Sequence, residues 1–246
     1  MLLTHARIET MLTLRHGEQV LLTLLIPLAL LIGLSVLDLL PASQLVAGDG
    51  GSVAKVDWVA PRILALAVLS SAFTGQAIAL GFDRRYGVLK RLSATALPRW
   101  MLVTGRIIAA LVVVTLQVLV LGGVAAILGW QPEPAGVLFA VVLLAVGTIS
   151  FGALGVLLGG ALRAEAVLAL ANIVWFALLL AGGILLAPAS LPAGVAAVVE
   201  FLPSGALAEG LRAALLDGSW GWGPLAVLGG WAVAAAALAT RTTKLT

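Results

Sequence analysis

Long apolar runs alternate with short polar stretches along the whole chain. Six runs are about 18–28 residues long, and roughly 20 helical residues cross the hydrocarbon core of a bilayer. They predict membrane-spanning helices at residues 20–37, 63–82, 107–129, 135–162, 166–187 and 223–240. The pattern therefore indicates an all-α membrane protein with six spans, folded as a single domain over residues 1–246.

Two segments before the second span predict structure outside the bilayer core. Residues 2–18 place their apolar side chains on one helical face and their charges elsewhere. This predicts a short interfacial helix over residues 1–19 that lies at the inner membrane surface. Residues 38–62 are rich in Gly, Ser and Asp and predict an irregular outer loop.

Prolines divide residues 188–222, just before the last span. These prolines are Pro188, Pro192 and Pro203. The apolar stretch 195–201 is too short to cross a bilayer, and Ser204 is a candidate N-cap for a second helix. The apolar face of that second helix consists of Leu207, Leu211 and Leu215. The segment predicts two short helices that re-enter the outer half of the membrane, where protein or water must cover their backbone.

The composition excludes an ordinary soluble domain. Hydrophobic residues make up 62% of the chain and charged residues only 10%, against about a quarter in soluble domains. There is no cysteine, which excludes disulfides, thiolate chemistry and cysteine-ligated metal. Six spans leave no room for a soluble catalytic domain.

The basic residues are concentrated between the second and third spans. Residues 83–106 hold six of the 14 Lys and Arg side chains. With the N-terminus inside, the inner segments hold 11 basic residues and the outer segments three. Basic residues mark the cytoplasmic side, so both termini are predicted to be cytoplasmic. Because these bases lie in loops beside apolar runs, the net charge of +3 does not indicate a nucleic-acid partner.

Aromatic residues fall at the predicted span ends, as in an interfacial belt. They are Trp58, Trp100, Trp130, Trp220, Trp222 and Tyr86.

No arrangement for catalysis is present, so the chain is not expected to be an enzyme. The only histidines, His5 and His16, precede the first span, and no lysine follows a Gly-x-x-x-x-Gly loop. If transport by this chain is driven by ATP, the hydrolysis is therefore expected on another polypeptide. The span interiors hold no Asp, Glu, Lys, Arg or His, which argues against an ion-coupled transporter.

Polar side chains within the spans have two interpretations. Gln76, Gln117 and Asn172 could line a substrate path, or they could make interhelical hydrogen bonds, which is the favoured interpretation. Small residues predict close helix contacts. They are Gly155 and Gly159, with the Gly-Gly pairs at 122–123, 182–183 and 229–230.

The polar stretch 83–106 also has two interpretations. It could be a solvated loop that fixes orientation, or a cytosolic helix that docks on a partner. Apolar residues recur along it at Val88, Leu89, Leu92, Ala96 and Leu97. A solvated loop has no need of such a face, so docking is favoured.

The sequence resembles the ABC-2 type transporter permeases. The resemblance rests on the run DRRYGVLKRLSAT at residues 83–95 and on the pattern of Pro188, Leu191 and Pro192. It continues through residues 201–203 and 210–212 and covers almost the whole chain. Two departures are visible: Asp83 replaces the more common Glu, and Ala96 stands where a proline is usual.

The resemblance implies a half-transporter. The chain pairs with a second copy of itself or with a related permease, and each is bound to a cytosolic ATP-binding subunit that holds ATP and Mg. No cofactor is expected on this chain. The implied coupling helix, over residues 83–97, includes Asp83, Arg84, Arg85, Gly87, Val88, Leu89, Lys90, Arg91 and Leu92. The implied outer gate, within residues 188–222, includes Pro188, Pro192, Pro203 and Arg212. The substrate path would lie between the two permeases, lined by the first, second and fifth spans.

The expected function is export across a bacterial plasma membrane, driven by ATP. A path without buried charge suits a hydrophobic or amphiphilic substrate, such as a drug, an antibiotic or a lipid-like molecule. Two alternatives remain open: a permease linked to heme or to assembly, and a lipid scramblase or membrane scaffold that works without an ATPase.

Overall fold

The computed structural model describes residues 17–38, 45, 53–88, 99–185 and 192–242. Within these ranges every regular element is a helix. The helices are α1 Gly17–Val36, α2 Lys55–Arg85, α3 Arg99–Ile127, α4 Pro134–Ala161, α5 Ala164–Ala181, α6 Ala193–Phe201, α7 Pro203–Asp217 and α8 Trp222–Thr242. Most of the interfacial helix expected over residues 1–19 lies outside the described residues, and residues 17–19 belong to α1.

In the part of the chain that the structure describes, four helices are long and apolar enough to cross a membrane: α2, α3, α4 and α8. They correspond to the predicted spans at 63–82, 107–129, 135–162 and 223–240. The apolar stretches of α1 and α5, Thr23–Val36 and Ala164–Leu180, are shorter. If the bent pair α6 and α7 counts as one span, five spans result, so the structure establishes a multi-pass helical protein without confirming six.

Helix α2 begins at Lys55, eight residues before the predicted span, and this corrects the irregular loop expected over residues 38–62. Its first turns are buried, including Trp58 and Arg62. They pack against α1 and α7. The helix therefore forms because tertiary burial outweighs a local sequence that is polar and contains Pro61.

The middle of α2 is a π-helix, Leu69–Gly75, joined at both ends to α-helix. A π-helical turn accommodates one more residue than an α-helical turn, and such turns are found mostly as short bulges near functional sites. Five residues of this turn, Leu69 to Phe73, are buried.

The core forms around α4, which packs against α8, α7 and α2. Small residues allow one of these contacts: a Cβ atom at Gly155 would lie 2.6 Å from the carbonyl oxygen of Phe73. A Cβ atom at Gly159 would lie 2.5 Å from the carbonyl oxygen of Ala77. The close contact predicted at these two glycines is therefore confirmed, and it joins α4 to α2.

The Gly-Gly pairs behave differently from one another. At Gly182 an added Cβ would lie 2.3 Å from the Ser204 hydroxyl, so this position is in close contact as predicted. At Gly123, Gly229 and Gly230 nothing lies within 4 Å of an added Cβ. For these three residues the predicted close contact is wrong within the chain, because their side of the helix faces outward.

Two short helices precede α8, as the prolines predicted. The axes of α6 and α7 meet at 88°, with extended backbone at Leu202 and Pro203 as the first residue of α7. The predicted apolar face of α7 is buried, at Leu207, Leu211 and Leu215. The predicted Ser204 cap is wrong: Ser204 lies one residue inside the helix, and its buried hydroxyl has no hydrogen-bond partner.

Candidate functional site

The polar stretch 83–106 emerges from one end of the bundle, which we call the basic end. This end consists of the C-terminal turns of α2, α4 and α8 and the N-terminal turns of α3 and α5. Helix α2 continues through Asp83, Arg84 and Arg85 and stops at Tyr86 and Gly87. Gly87 has φ of +70°, a backbone conformation that glycine adopts without strain. Val88 is exposed, whereas the coupling candidates Leu89, Lys90, Arg91 and Leu92 lie outside the described residues.

Asp83 and Arg106 form an ion pair between α2 and α3. Arg106 is 4% exposed, and Asp83 is partly exposed. A buried guanidinium requires a carboxylate close by, because removal of its partner leaves an uncompensated charge. The two ends of the polar stretch are therefore held together by its first and last charged residues.

Arg84 binds the C-terminus of α4. Its guanidinium donates hydrogen bonds to the carbonyl oxygens of Gly160, at 2.7 Å, and Leu162, at 3.0 Å. The last carbonyl groups of a helix have no partner within the helix, and they carry the negative end of its dipole. The Arg84 guanidinium gives these carbonyl groups hydrogen-bond donors and brings a positive charge to the negative end of the α4 dipole.

Arg85 pairs with Glu165 in the first turn of α5. Both side chains are more than half exposed, so this pair contributes little on its own. Glu165 also lies at the positive end of the α5 dipole. Three consecutive residues of α2 thus contact three different helices.

A polar network crosses the interior of the bundle. Gln117 on α3 is fully buried. Its Oε1 accepts a hydrogen bond from the Ser71 hydroxyl at 2.7 Å, and its Nε2 donates to the Thr23 hydroxyl at 3.2 Å. Gln117 therefore links α1, α2 and α3 in the way that the interhelical interpretation predicts.

The π-helical turn of α2 provides a second polar link. The indole nitrogen of Trp175 on α5 donates a hydrogen bond to the Ser70 hydroxyl at 3.0 Å. The sequence analysis did not single out Ser70, Ser71 or Trp175. Ser70 and Ser71, two adjacent serines inside an apolar run, could have indicated polar contacts between helices.

The three candidates for the substrate path do not lie together. Gln76 is buried next to α4, and Gln117 belongs to the network just described. Asn172 is exposed on the outward face of α5, where its amide donates a hydrogen bond to the Leu168 carbonyl oxygen of the same helix at 2.8 Å. Only Asn172 is exposed on the outer surface of the chain.

The opposite end of the bundle contains a buried charge that the sequence analysis placed in a loop. Arg62 is 2% exposed and stacks over the Trp58 ring, 3.9 Å from its centroid. It donates a hydrogen bond to the Trp58 carbonyl oxygen at 3.1 Å, and it lies 3.8 Å from the Glu209 carboxylate. Trp58 is thus a core residue, and its assignment to the interfacial belt is wrong.

Arg212, an outer-gate candidate, belongs to the same charge cluster. It pairs with Glu209 and with Asp217, the latter at 2.9 Å. Pro203 is buried at the start of α7, and Pro192 is exposed just before α6. Pro188 lies outside the described residues.

An exposed ion pair lies close to this end. Asp38 pairs with Lys55, the first residue of α2. The hydrogen bond and the charge of the Lys55 ammonium lower the pKa of the Asp38 carboxyl below its usual value. In the part of the chain that the structure describes, no three His, Cys, Asp or Glu side chains are arranged to hold a metal ion.

A family model described as ABC-2 type transporter matches residues 3–216, from before α1 into the last turn of α7. No curated protein matches the chain.

Proposed function

The chain belongs to the ABC-2 type transporter family, and we propose that it is the permease subunit of an ATP-driven exporter in a bacterial plasma membrane. The observation that carries the proposal is the family match over residues 3–216, which includes the polar stretch 83–106. The helical fold supports it, since at least four helices are long and apolar enough to cross a bilayer.

The proposed partner is a cytosolic ABC ATP-binding subunit that carries ATP and Mg. It docks on residues 83–97, with the N-terminal helix over residues 1–19 beside them. Val88 and Tyr86 support this, because these two large hydrophobic side chains are exposed where α2 leaves the bundle. The excess of basic residues at this end supports a cytoplasmic position for it and for both termini.

The proposed path for the substrate lies between two copies of the chain. Asn172 supports this position, because an amide on the outward face of α5 is costly to leave in lipid. The resemblance implies that α2 also lines the path, but most of the apolar stretch of α2 is buried within the chain. We therefore assign the path mainly to the outward faces of α1 and α5.

The proposed substrate is hydrophobic or amphiphilic, such as a drug, an antibiotic or a lipid-like molecule. The outward faces of α1 and α5 support this class, because their exposed large side chains are apolar. They include Leu25, Ile26 and Ile32 on α1 and Ile173, Phe176 and Leu180 on α5. The bent pair α6 and α7, with Pro192, Pro203 and Arg212, forms the proposed outer gate, to which Pro188 also belongs.

Affinity purification of the tagged protein from its native membrane, followed by mass spectrometry, tests the partnership. We expect an ATP-binding subunit with a phosphate-binding loop in a stoichiometric amount, together with a second permease copy. Gly87→Pro, or Leu89→Asp with Leu92→Asp, is expected to abolish its recovery while membrane insertion stays intact. Recovery of a well-folded chain without an ATPase contradicts the proposal and favours a scramblase or a scaffold.

Direction and substrate class need a separate measurement. Inside-out vesicles that contain the complex are expected to accumulate a fluorescent lipophilic dye when ATP is added. Accumulation only in right-side-out vesicles that have been loaded with ATP contradicts the exporter assignment. Gln76→Leu, which changes a residue buried within the chain, is expected to leave accumulation closer to the wild-type value than Asn172→Leu does.

A further inference from the structure

We propose that Asp83, Arg84 and Arg85 are positioning residues that transmit movement of the coupling segment to α3, α4 and α5. This inference rests on the proposed function and deepens it. It separates the candidate coupling residues into two groups: residues 83–85 act on this chain's own helices, and residues 87–92 contact the ATP-binding subunit.

The geometry of a helix explains why three consecutive residues can do this. Successive side chains of an α-helix point about 100° apart, so three in a row span about 200° of its circumference. Here each one contacts a different neighbour. Asp83 contacts Arg106 of α3, Arg84 contacts the last carbonyl groups of α4, and Arg85 contacts Glu165 of α5.

These contacts leave the charges poorly placed to bind a partner protein. Arg106 is buried, so a partner that took Asp83 away would leave an unpaired cation inside the bundle. Arg84 is only partly exposed, and its donors are directed at Gly160 and Leu162. Only Arg85 is well exposed, and its pair with Glu165 is the weakest of the three.

The position of Gly87 completes the arrangement. The coupling segment leaves α2 at this residue, two positions after Arg85, and its positive φ turns the chain away from the helix axis. Among the described residues, nothing lies within 4 Å of an added Cβ at Gly87. A force applied beyond Gly87 enters α2 through this turn, and the contacts of residues 83–85 pass it on to α3, α4 and α5.

The test uses the complete complex and a reporter at the opposite end of the bundle. The chain has no cysteine, so Val198→Cys on the exposed face of α6, or Ile127→Cys at the end of α3, introduces one labelling site in this subunit. The rate of labelling with a water-soluble maleimide is measured with and without ATP and vanadate. Recovery of the ATP-binding subunit and its ATP hydrolysis are measured on the same samples.

Arg84→Ala and Asp83→Arg are expected to keep the ATP-binding subunit and ATP hydrolysis. The ATP-dependent change in labelling is expected to fall about tenfold, the size of an ordinary coupling free energy. The double variant Asp83→Arg with Arg106→Asp restores the pair and is expected to recover most of the change. Arg163→Ala, at an exposed arginine of the same end, is the matched control and leaves the change intact.

Several outcomes overturn the proposal. One is the loss of the ATP-binding subunit from a folded Arg84→Ala protein, since Arg84 is then a docking residue. Another is a labelling change that Arg84→Ala and Asp83→Arg leave intact, and a third is a wild-type complex without any change at Val198 or Ile127. If Arg84→Ala does not fold, two other variants decide the question. One is Arg84→Gln, which keeps a donor for the α4 carbonyl groups, and the other is the double variant Asp83→Arg with Arg106→Asp. A wild-type protein that recovers no ATP-binding subunit contradicts the proposed function instead.

Discussion

Ser71 and Gln117 share a hydrogen bond of 2.7 Å inside the bundle, between a hydroxyl on the π-helical turn of α2 and an amide oxygen on α3. The other end of the same amide reaches Thr23 on α1. One fully buried glutamine therefore joins three helices. Since lipid tails are as apolar as leucine, such bonds and close packing hold membrane helices together.

Gln117→Leu is expected to destabilise the protein by about 0.5–2 kcal/mol, because Ser71 and Thr23 lose a buried partner. Thermal unfolding in detergent measures this. Thr115→Val is the matched control on the same helix, since the Thr115 hydroxyl is exposed and donates its hydrogen bond to Leu111 of its own helix. In a cycle with Ser71→Ala, additive effects of the two substitutions contradict the hydrogen bond.

Deletion of Thr74 is expected to preserve the fold. The π-helical turn holds one extra residue, so removing one residue lets the turn close as an α-helix. The α-helical parts on either side then keep the same faces toward their neighbours. The Thr74 hydroxyl is buried without a hydrogen-bond partner, so little is lost with it. Size-exclusion chromatography and thermal unfolding provide the measurement.

Deletion of Leu66 is the control for this prediction. Leu66 lies in the α-helical part of α2, where one missing residue rotates everything on one side by about 100°. We expect this variant to aggregate or to fail to insert. Equal damage from both deletions shows that the π-helical turn is not a tolerated insertion.

Gly155→Ala is expected to cost about 1–3 kcal/mol, because the new methyl group meets the carbonyl oxygens of Phe73 and Ala72 and the helices must separate. Gly230→Ala meets nothing within 4 Å and is expected to leave the melting temperature unchanged or slightly higher. The two variants differ only in the surroundings of one methyl group. Equal melting temperatures are incompatible with the close contact between α2 and α4.

Glu209→Ala is expected to destabilise the protein by about 1–3 kcal/mol, below the 3–5 kcal/mol of a fully buried pair because Glu209 is partly exposed. The loss arises because Arg62 and Arg212 keep their charges without that carboxylate. Adding Arg62→Met is expected to recover part of the stability, since an apolar side chain suits the buried site. Asp38→Ala, in the exposed pair with Lys55, is the control and is expected not to change the melting temperature. A larger effect at Asp38 than at Glu209 contradicts the structure.

The chain's own pattern was sufficient to predict several elements. The spans at 63–82, 107–129, 135–162 and 223–240 follow from apolar length, because a helix in lipid satisfies its backbone hydrogen bonds locally. The two short helices before α8 follow from proline positions and from leucine spacing on α7. The resemblance at residues 83–95 predicted the family, which the match over residues 3–216 confirms.

Other features depended on contacts between distant parts of the chain. Arg62 lies in a polar stretch, yet it is buried because α7 brings Glu209 beside it. Arg84 looks like an ordinary loop cation in the sequence, and only the approach of α4 gives it carbonyl oxygens to bind. The sequence offered the same two interpretations for Gln117 and Asn172, although one is buried and the other faces outward.

The physical reason for this division is the membrane itself. In a soluble protein an apolar face indicates the core, but here lipid and protein interior are both apolar, so periodicity cannot distinguish them. The apolar runs of the sequence determined that helices cross the bilayer. Which faces of those helices meet each other, and which charges and amides they enclose, was decided only when α2, α4 and α7 packed together.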